Sequence, residues 1–183
     1  MNIPNFLSLL RIILVPVFVI FIIQEEYFRA LLIFTAAGLT DALDGTLARL
    51  LKAQTTLGAY LDPIADKLLM VTSYVSLAFF GLVPAWLAVI VISRDFIILL
   101  GIAILTLMSV PYEIKPAMIG KMTTALQVGT IFLALLYKAV THGFSYDWIA
   151  GVCWITALMT IASGAVYILR GIRILNRSTP QKA

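Results

Sequence analysis

The chain has 183 residues, is 62% hydrophobic, 12% charged, and carries a formal net charge of +4. A soluble domain has about a quarter charged residues, so this composition excludes a water-soluble globule and places the chain in lipid. The modest positive balance suits anionic headgroups and phosphates rather than DNA or RNA, and no nucleic-acid partner is expected.

Six segments approach the roughly 20 apolar residues that a spanning helix needs. The first covers 6–23, up to the polar break Gln24-Glu25-Glu26. The N-terminal residues have no basic run, and Arg11 interrupts the apolar stretch, so this segment reads as a retained first span rather than a signal or transit peptide. The second covers 28–51, before a polar turn from Lys52 to Thr56. The third covers 57–80 and stops at Gly81. The fourth opens with Pro84 in its first turn and continues to about Met108. A loop from Ser109 to Lys115 leads to Pro116, which opens the fifth, ending near Val140. His142-Gly143 and Asp147 mark the next turn. The sixth covers 148–169 and leaves as a basic tail.

The expected fold is therefore all-α, a polytopic membrane protein with six transmembrane helices and one domain over 1–183. The single cysteine, Cys153, excludes an internal disulfide and suits packing inside a helix. Ala150, Ala157, Gly164 and Gly171 recur every seven residues on the sixth segment, a face smooth enough for close helix packing. Lys/Arg bias sets orientation. Arg49, Lys52, Lys115, Lys121, Arg170, Arg173, Arg177 and Lys182 fall on one side, and Arg29 and Lys138 on the other. Both termini and a catalytic cavity are thus expected to face the cytoplasm, and the missing transit peptide points to a bacterial inner membrane.

The most informative stretch runs from Asp41 to Asp66, where four of the nine acidic residues lie. On helices, Asp41 and Asp44 share a face, and so do Asp62 and Asp66. Four carboxylates presented to one pocket repel one another unless cations are present. Oxygen-only ligands suit a hard ion, Mg2+ or Mn2+. A lone Asp66-Lys67 or Arg94-Asp95 pair would read equally as a buried ion pair, but four acids without four matching cations do not. Two metals in such a cavity would clamp a diphosphate for in-line displacement. Gly45 and Gly58 permit a ligand, or a neighbouring helix, to approach the backbone. Arg49 can fork onto phosphate oxygens or anchor the inner face of the membrane.

The pattern D-x2-D-G-x2-A-R-x8-G-x3-D-x3-D resembles the signature of the CDP-alcohol phosphatidyltransferase family at all eight fixed positions. The resemblance implies a CDP-linked lipid donor, an alcohol acceptor and CMP as leaving group. It implies Asp41, Asp44, Asp62 and Asp66 as metal ligands, with Asp66 also the catalytic base for the acceptor hydroxyl. Asp41, Gly45, Ala48, Arg49 and Gly58 would contact the cytidine diphosphate, and a homodimer is implied as well.

Two further segments bear on the acceptor. Ser93-Arg94-Asp95 puts charge inside the fourth helix, and Lys121 lies early in the fifth. Intramembrane charge is functional by default, which makes Arg94 and Lys121 candidates for an acceptor phosphate. Their structural readings are pairing with Asp95 and a membrane anchor. Both segments resemble the glycerophospholipid branch of the family, the phosphatidylglycerophosphate synthases and CMP-forming cardiolipin synthases. The former often carry a second arginine where this chain has Ile102. Phosphatidylglycerol carries one phosphodiester charge and glycerol 3-phosphate nearly two, so fewer cations favour phosphatidylglycerol. The expected reaction joins CDP-diacylglycerol and phosphatidylglycerol into cardiolipin and CMP, with glycerol 3-phosphate as the alternative acceptor. A small ion-coupled transporter is a remote alternative; it would need mid-membrane acids and, commonly, a repeat.

Overall fold

The computed structural model describes residues 3–51, 56–108, 118–140 and 146–178, with side chains for 8–40, 61–108, 118–140 and 148–176. The described residues form six helices, α1 (Ile3–Ile23), α2 (Tyr27–Leu51), α3 (Thr56–Phe79), α4 (Ala85–Leu107), α5 (Met118–Ala139) and α6 (Tyr146–Ser178). Each expected apolar segment is helical, as its length and apolar run favour, with Pro16 and Pro63 accommodated inside α1 and α3.

Turn chemistry sets the boundaries. At the end of α3 the Leu82 amide donates to the Leu77 carbonyl (2.8 Å) and the Gly81 amide to Ala78 (3.2 Å), with Gly81 at φ 70°. This is the paired capping pattern that favours glycine in the left-handed position. The same pattern closes α1, where Glu26 donates to Phe21 (2.9 Å) and Glu25 to Ile22 (3.0 Å). There Glu25 takes φ 58°, a conformation costing a side-chain-bearing residue about 1–2 kcal/mol.

Two expected boundaries need correction. Pro84 does not sit in the first turn of α4; it is the extended residue that caps it, at φ −62° and ψ 136°. The sixth helix does not leave as a tail after Leu169. It continues to Ser178, 33 residues in all, because nothing between Arg170 and Ser178 breaks a helix and Arg and Leu favour one.

The helices form two groups of three. α1 lies against α2 and α3, and α6 lies against α4 and α5; α2–α5 and α3–α4 contacts join the groups. Their shared core includes Phe18, Phe34, Tyr74, Leu87, Leu135 and Cys153. The small-residue stripe of α6 points inward at Ala157 and Gly164, both buried.

The surface is inverted relative to a soluble protein. Phe79, Leu107 and Trp148 are largely exposed while Arg11, Arg94 and Asp95 are buried. An apolar solvent leaves polar groups only one another as partners. Accordingly a polar seam joins α5 to α6: Thr130 and Thr156 hydroxyls meet at 2.7 Å, and Gln127 Nε2 donates to Thr160 Oγ1 at 3.1 Å. Tyr74 of α3 donates to the Gln127 carbonyl at 3.0 Å. Such bonds hold helices together in lipid, where burial of apolar surface gives little.

Among the described residues three helices are long and apolar enough to cross a membrane: Ala85–Leu107, Met118–Ala139 and Trp148–Asn176. α1 and α2 contribute the shorter apolar stretches Ser8–Ile23 and Tyr27–Thr40. The protein is an all-helical membrane protein.

Candidate active site

The site is built outward from α3. Asp62 and Asp66 lie one helical turn apart on it, both half-buried, and therefore share a face. Pro63 sits between them inside the helix. Having no N–H, it removes one rung of the backbone ladder beside Asp62. Asp62 does not stand alone: the Ser8 hydroxyl of α1 donates to its Oδ1. One turn beyond Ser8, Arg11 is completely buried in α1.

On its other side α3 reaches α4 through Lys67, whose Nζ donates to Asp95 Oδ2. Asp95 Oδ1 accepts from Arg94 Nη1 at 2.8 Å, and Arg94 Nη2 donates to Ser163 Oγ of α6 at 2.9 Å. Asp95 and Arg94 are only 5% and 8% exposed, so this is a buried charge cluster joining three helices. Tyr167 of α6 caps it, with Arg94 Cζ 5.5 Å from the ring centroid, within reach of a cation–π contact. Gly164 lies beneath the arginine stem; a Cβ there would stand 3.5 Å from Arg94 Cγ. A Cβ on Gly120 would come within 2.7 Å of the Tyr167 hydroxyl. The glycine therefore makes room for the phenol. Lys121, the next residue, is exposed.

These positions place the expected site residues as follows. Asp62 and Asp66 share one face of α3, and Lys67 bridges that helix to the Arg94–Asp95 pair. Arg94 is engaged by Asp95 and Ser163, the structural pairing anticipated as the alternative to phosphate binding. Asp41, Asp44, Gly45, Ala48 and Arg49 are helical in α2 and Gly58 is helical in α3, but their side chains lie outside the described residues. Residues 52–55, 109–117 and 141–145, where a polar turn, a loop and the turn at His142-Gly143 are expected, also lie outside them. Asp147 is helical in α6, its side chain likewise outside.

Several site residues were not singled out from sequence. Ser8, Ser163 and Tyr167 carry no motif. Asp95 is already legible in the sequence as the pairing partner of Arg94; Arg11 could have been found, because an ionisable residue within an apolar helix marks a functional or paired position.

The α3 residues fit a hard divalent cation. They offer carboxylate oxygens one turn apart, half-buried, one of them already oriented by a hydroxyl. Among the described residues no three acidic, histidine or cysteine side chains gather; Asp62 and Asp66 are the described half of the expected quartet.

Helices of this polarity, with acids and cations clustered inside the bundle, define a helical membrane protein with a buried charged site. The sequence profile of the CDP-alcohol phosphatidyltransferase family matches residues 1–170, and the chain belongs to that family. Its relatives fall on both sides of the acceptor question. It is 36% identical to the human cardiolipin synthase (CMP-forming), over 91% of this chain and 60% of that protein. A probable cardiolipin synthase (CMP-forming) of Drosophila melanogaster is 31% identical over 92% of this chain and 57% of its own length. The chain thus spans about 60% of these animal relatives. CDP-diacylglycerol--glycerol-3-phosphate 3-phosphatidyltransferase of Bacillus subtilis is 30% identical over 97% of this chain and 98% of its own length.

Proposed function

We propose that the protein transfers a phosphatidyl group from CDP-diacylglycerol to the free hydroxyl of phosphatidylglycerol, giving cardiolipin and CMP. The observation that carries this reading is the juxtaposition on α3 and α4 of an acidic pair, Asp62 and Asp66, with the Lys67–Asp95–Arg94 cluster. Transfer between two phosphate-bearing lipids needs both: acids for cation and proton, and positive charge for the acceptor.

Asp41, Asp44, Asp62 and Asp66 would hold Mg2+ or Mn2+, in a two-metal site. Bound there, the cations would neutralise the diphosphate and stabilise the departing CMP. Asp41, Gly45, Ala48, Arg49 and Gly58 would seat the cytidine diphosphate, with α2 presenting Arg49 one turn after Gly45. Asp66 takes the proton from the acceptor hydroxyl as its oxygen attacks the β-phosphorus. The new P–O bond forms as the bond to CMP breaks, and the proton stays on the carboxylate until released to water.

On the acceptor side, two cations on one carboxylate leave a single positive charge in the Lys67–Asp95–Arg94 cluster. That residual charge by itself matches the single negative charge of one phosphodiester. Ile102, two turns along α4 from Arg94, adds none. Glycerol 3-phosphate is the second reading, favoured by the Bacillus relative matched along nearly its whole length. In the proposed reading the chain has six spans in a bacterial inner membrane, with both termini and the cavity on the cytoplasmic side, the side that the Lys/Arg asymmetry favours. A homodimer is part of the same reading.

The test is an acceptor competition in detergent–lipid micelles. Purified protein, labelled CDP-diacylglycerol and Mg2+ or Mn2+ are offered phosphatidylglycerol or glycerol 3-phosphate. Cardiolipin from the first alone is expected. Phosphatidylglycerophosphate from the second would assign the other acceptor. No CMP release with either would favour a transporter.

A further inference from the structure

Among the described residues most threonine hydroxyls turn back onto their own helix. Thr35 donates to the Leu31 carbonyl at 2.7 Å, Thr106 to Ile102 at 2.9 Å and Thr124 to Gly120 at 3.1 Å. In an apolar solvent that local bond is the simplest way to satisfy a hydroxyl. Ser8 reaches elsewhere, to a carboxylate on a different helix 54 residues away.

Ser8 is completely buried, and so is Arg11 one turn further along α1. Two polar residues at i and i+3 place one stripe of α1 against the interior at the level of Asp62. Lipid-facing residues of the same helix are apolar and open, as at Ile13 and Ile20. A hydrogen bond from a neutral hydroxyl to a carboxylate is charge-assisted, and roughly twice as strong as a neutral pair. It fixes the plane of the carboxylate. This bond uses one lone pair of Oδ1, and an ionised carboxylate has about four acceptor sites in all.

We infer that Ser8 is a positioning residue for Asp62: its hydroxyl orients the carboxylate toward a divalent cation, so that α1 completes a site whose ligands lie on α2 and α3. The inference rests on the reading of Asp62 as a metal ligand. Partners of this kind are worth about 10- to 100-fold in metal affinity.

The test uses the full chain in detergent micelles and reads Mn2+ directly, by titration with free Mn2+ followed by electron paramagnetic resonance. Ser8→Ala and Ser8→Val remove the hydroxyl, the second without leaving a void. Ser8→Thr keeps it, and Asp62→Asn serves as reference. Melting temperature and elution volume establish that each variant is folded. Ser8→Ala and Ser8→Val are expected to bind Mn2+ about 10- to 100-fold more weakly, with Ser8→Thr within about threefold of the native chain. Turnover in both hydroxyl-free variants should fall at limiting Mn2+ and recover as Mn2+ is raised. Native Mn2+ affinity in folded Ser8→Ala and Ser8→Val overturns the inference alone. Absence of saturable Mn2+ binding in the native chain, or native affinity in Asp62→Asn, overturns the metal-site reading and the inference with it.

Discussion

Asp95 is the position where a single charge carries the most structure. Replacing it with asparagine keeps the shape but removes the negative charge shared by Arg94 and Lys67. The two cations are not equally affected. The Lys67 side chain is 37% exposed, so solvent screens it, and its pairing is worth about 0–1 kcal/mol. Arg94 is 8% exposed and cannot shed its proton. Leaving a buried charge without its partner costs about 3–5 kcal/mol. For a protein of this size 1 kcal/mol corresponds to about 2–4 °C, so Asp95→Asn should lower the melting temperature by about 6–20 °C. Tryptophan fluorescence in detergent provides the assay, since Trp86 and Trp154 stack between α4 and α6 with ring centroids 4.7 Å apart. The double variant Arg94→Met/Asp95→Asn should regain most of that loss, because no uncompensated charge remains. A single variant melting within about 2 °C of the native chain, or a double variant no more stable than the single, would refute the reasoning.

Asp62→Asn and Asp66→Asn should each abolish CMP release while leaving melting temperature and membrane insertion unchanged; near-native turnover in either would remove the metal-site assignment. Chelation by EDTA should abolish turnover, and added Mg2+ or Mn2+ should restore it. Gly120→Ala should push the Tyr167 hydroxyl away, since the new Cβ would stand 2.7 Å from it; such overpacking costs about 1–3 kcal/mol. Tyr167→Phe in that background should recover much of the loss of melting temperature, and no recovery would mean the clash lies elsewhere. Arg94→Ala should raise the KM for the acceptor more than the KM for CDP-diacylglycerol, and an unchanged acceptor KM would leave Arg94 a purely structural role.

What the sequence by itself determined was the kind of molecule: an all-helical membrane protein of the CDP-alcohol phosphatidyltransferase family. Hydropathy is a local quantity, and lipid permits few folds, so six apolar segments became six helices, all but α6 within a few residues of their expected ends. Asp62 and Asp66 share a face because they are four residues apart on one helix, a relation fixed by helical geometry. Boundary errors arose where local signals were ambiguous: a proline that caps rather than enters α4, and a basic stretch that stays helical in α6. What only the tertiary structure decided was which distant groups meet. Ser8 donates to Asp62 across 54 residues, and Arg94 reaches Ser163 across 69. No periodicity encodes such pairings, because they depend on how α1 lies on α3 and α6 on α4. The room for Tyr167 above Arg94 depends on a glycine of a third helix, α5. Inside lipid a buried polar group must find its partner within the protein, and the packing of helices chooses which one.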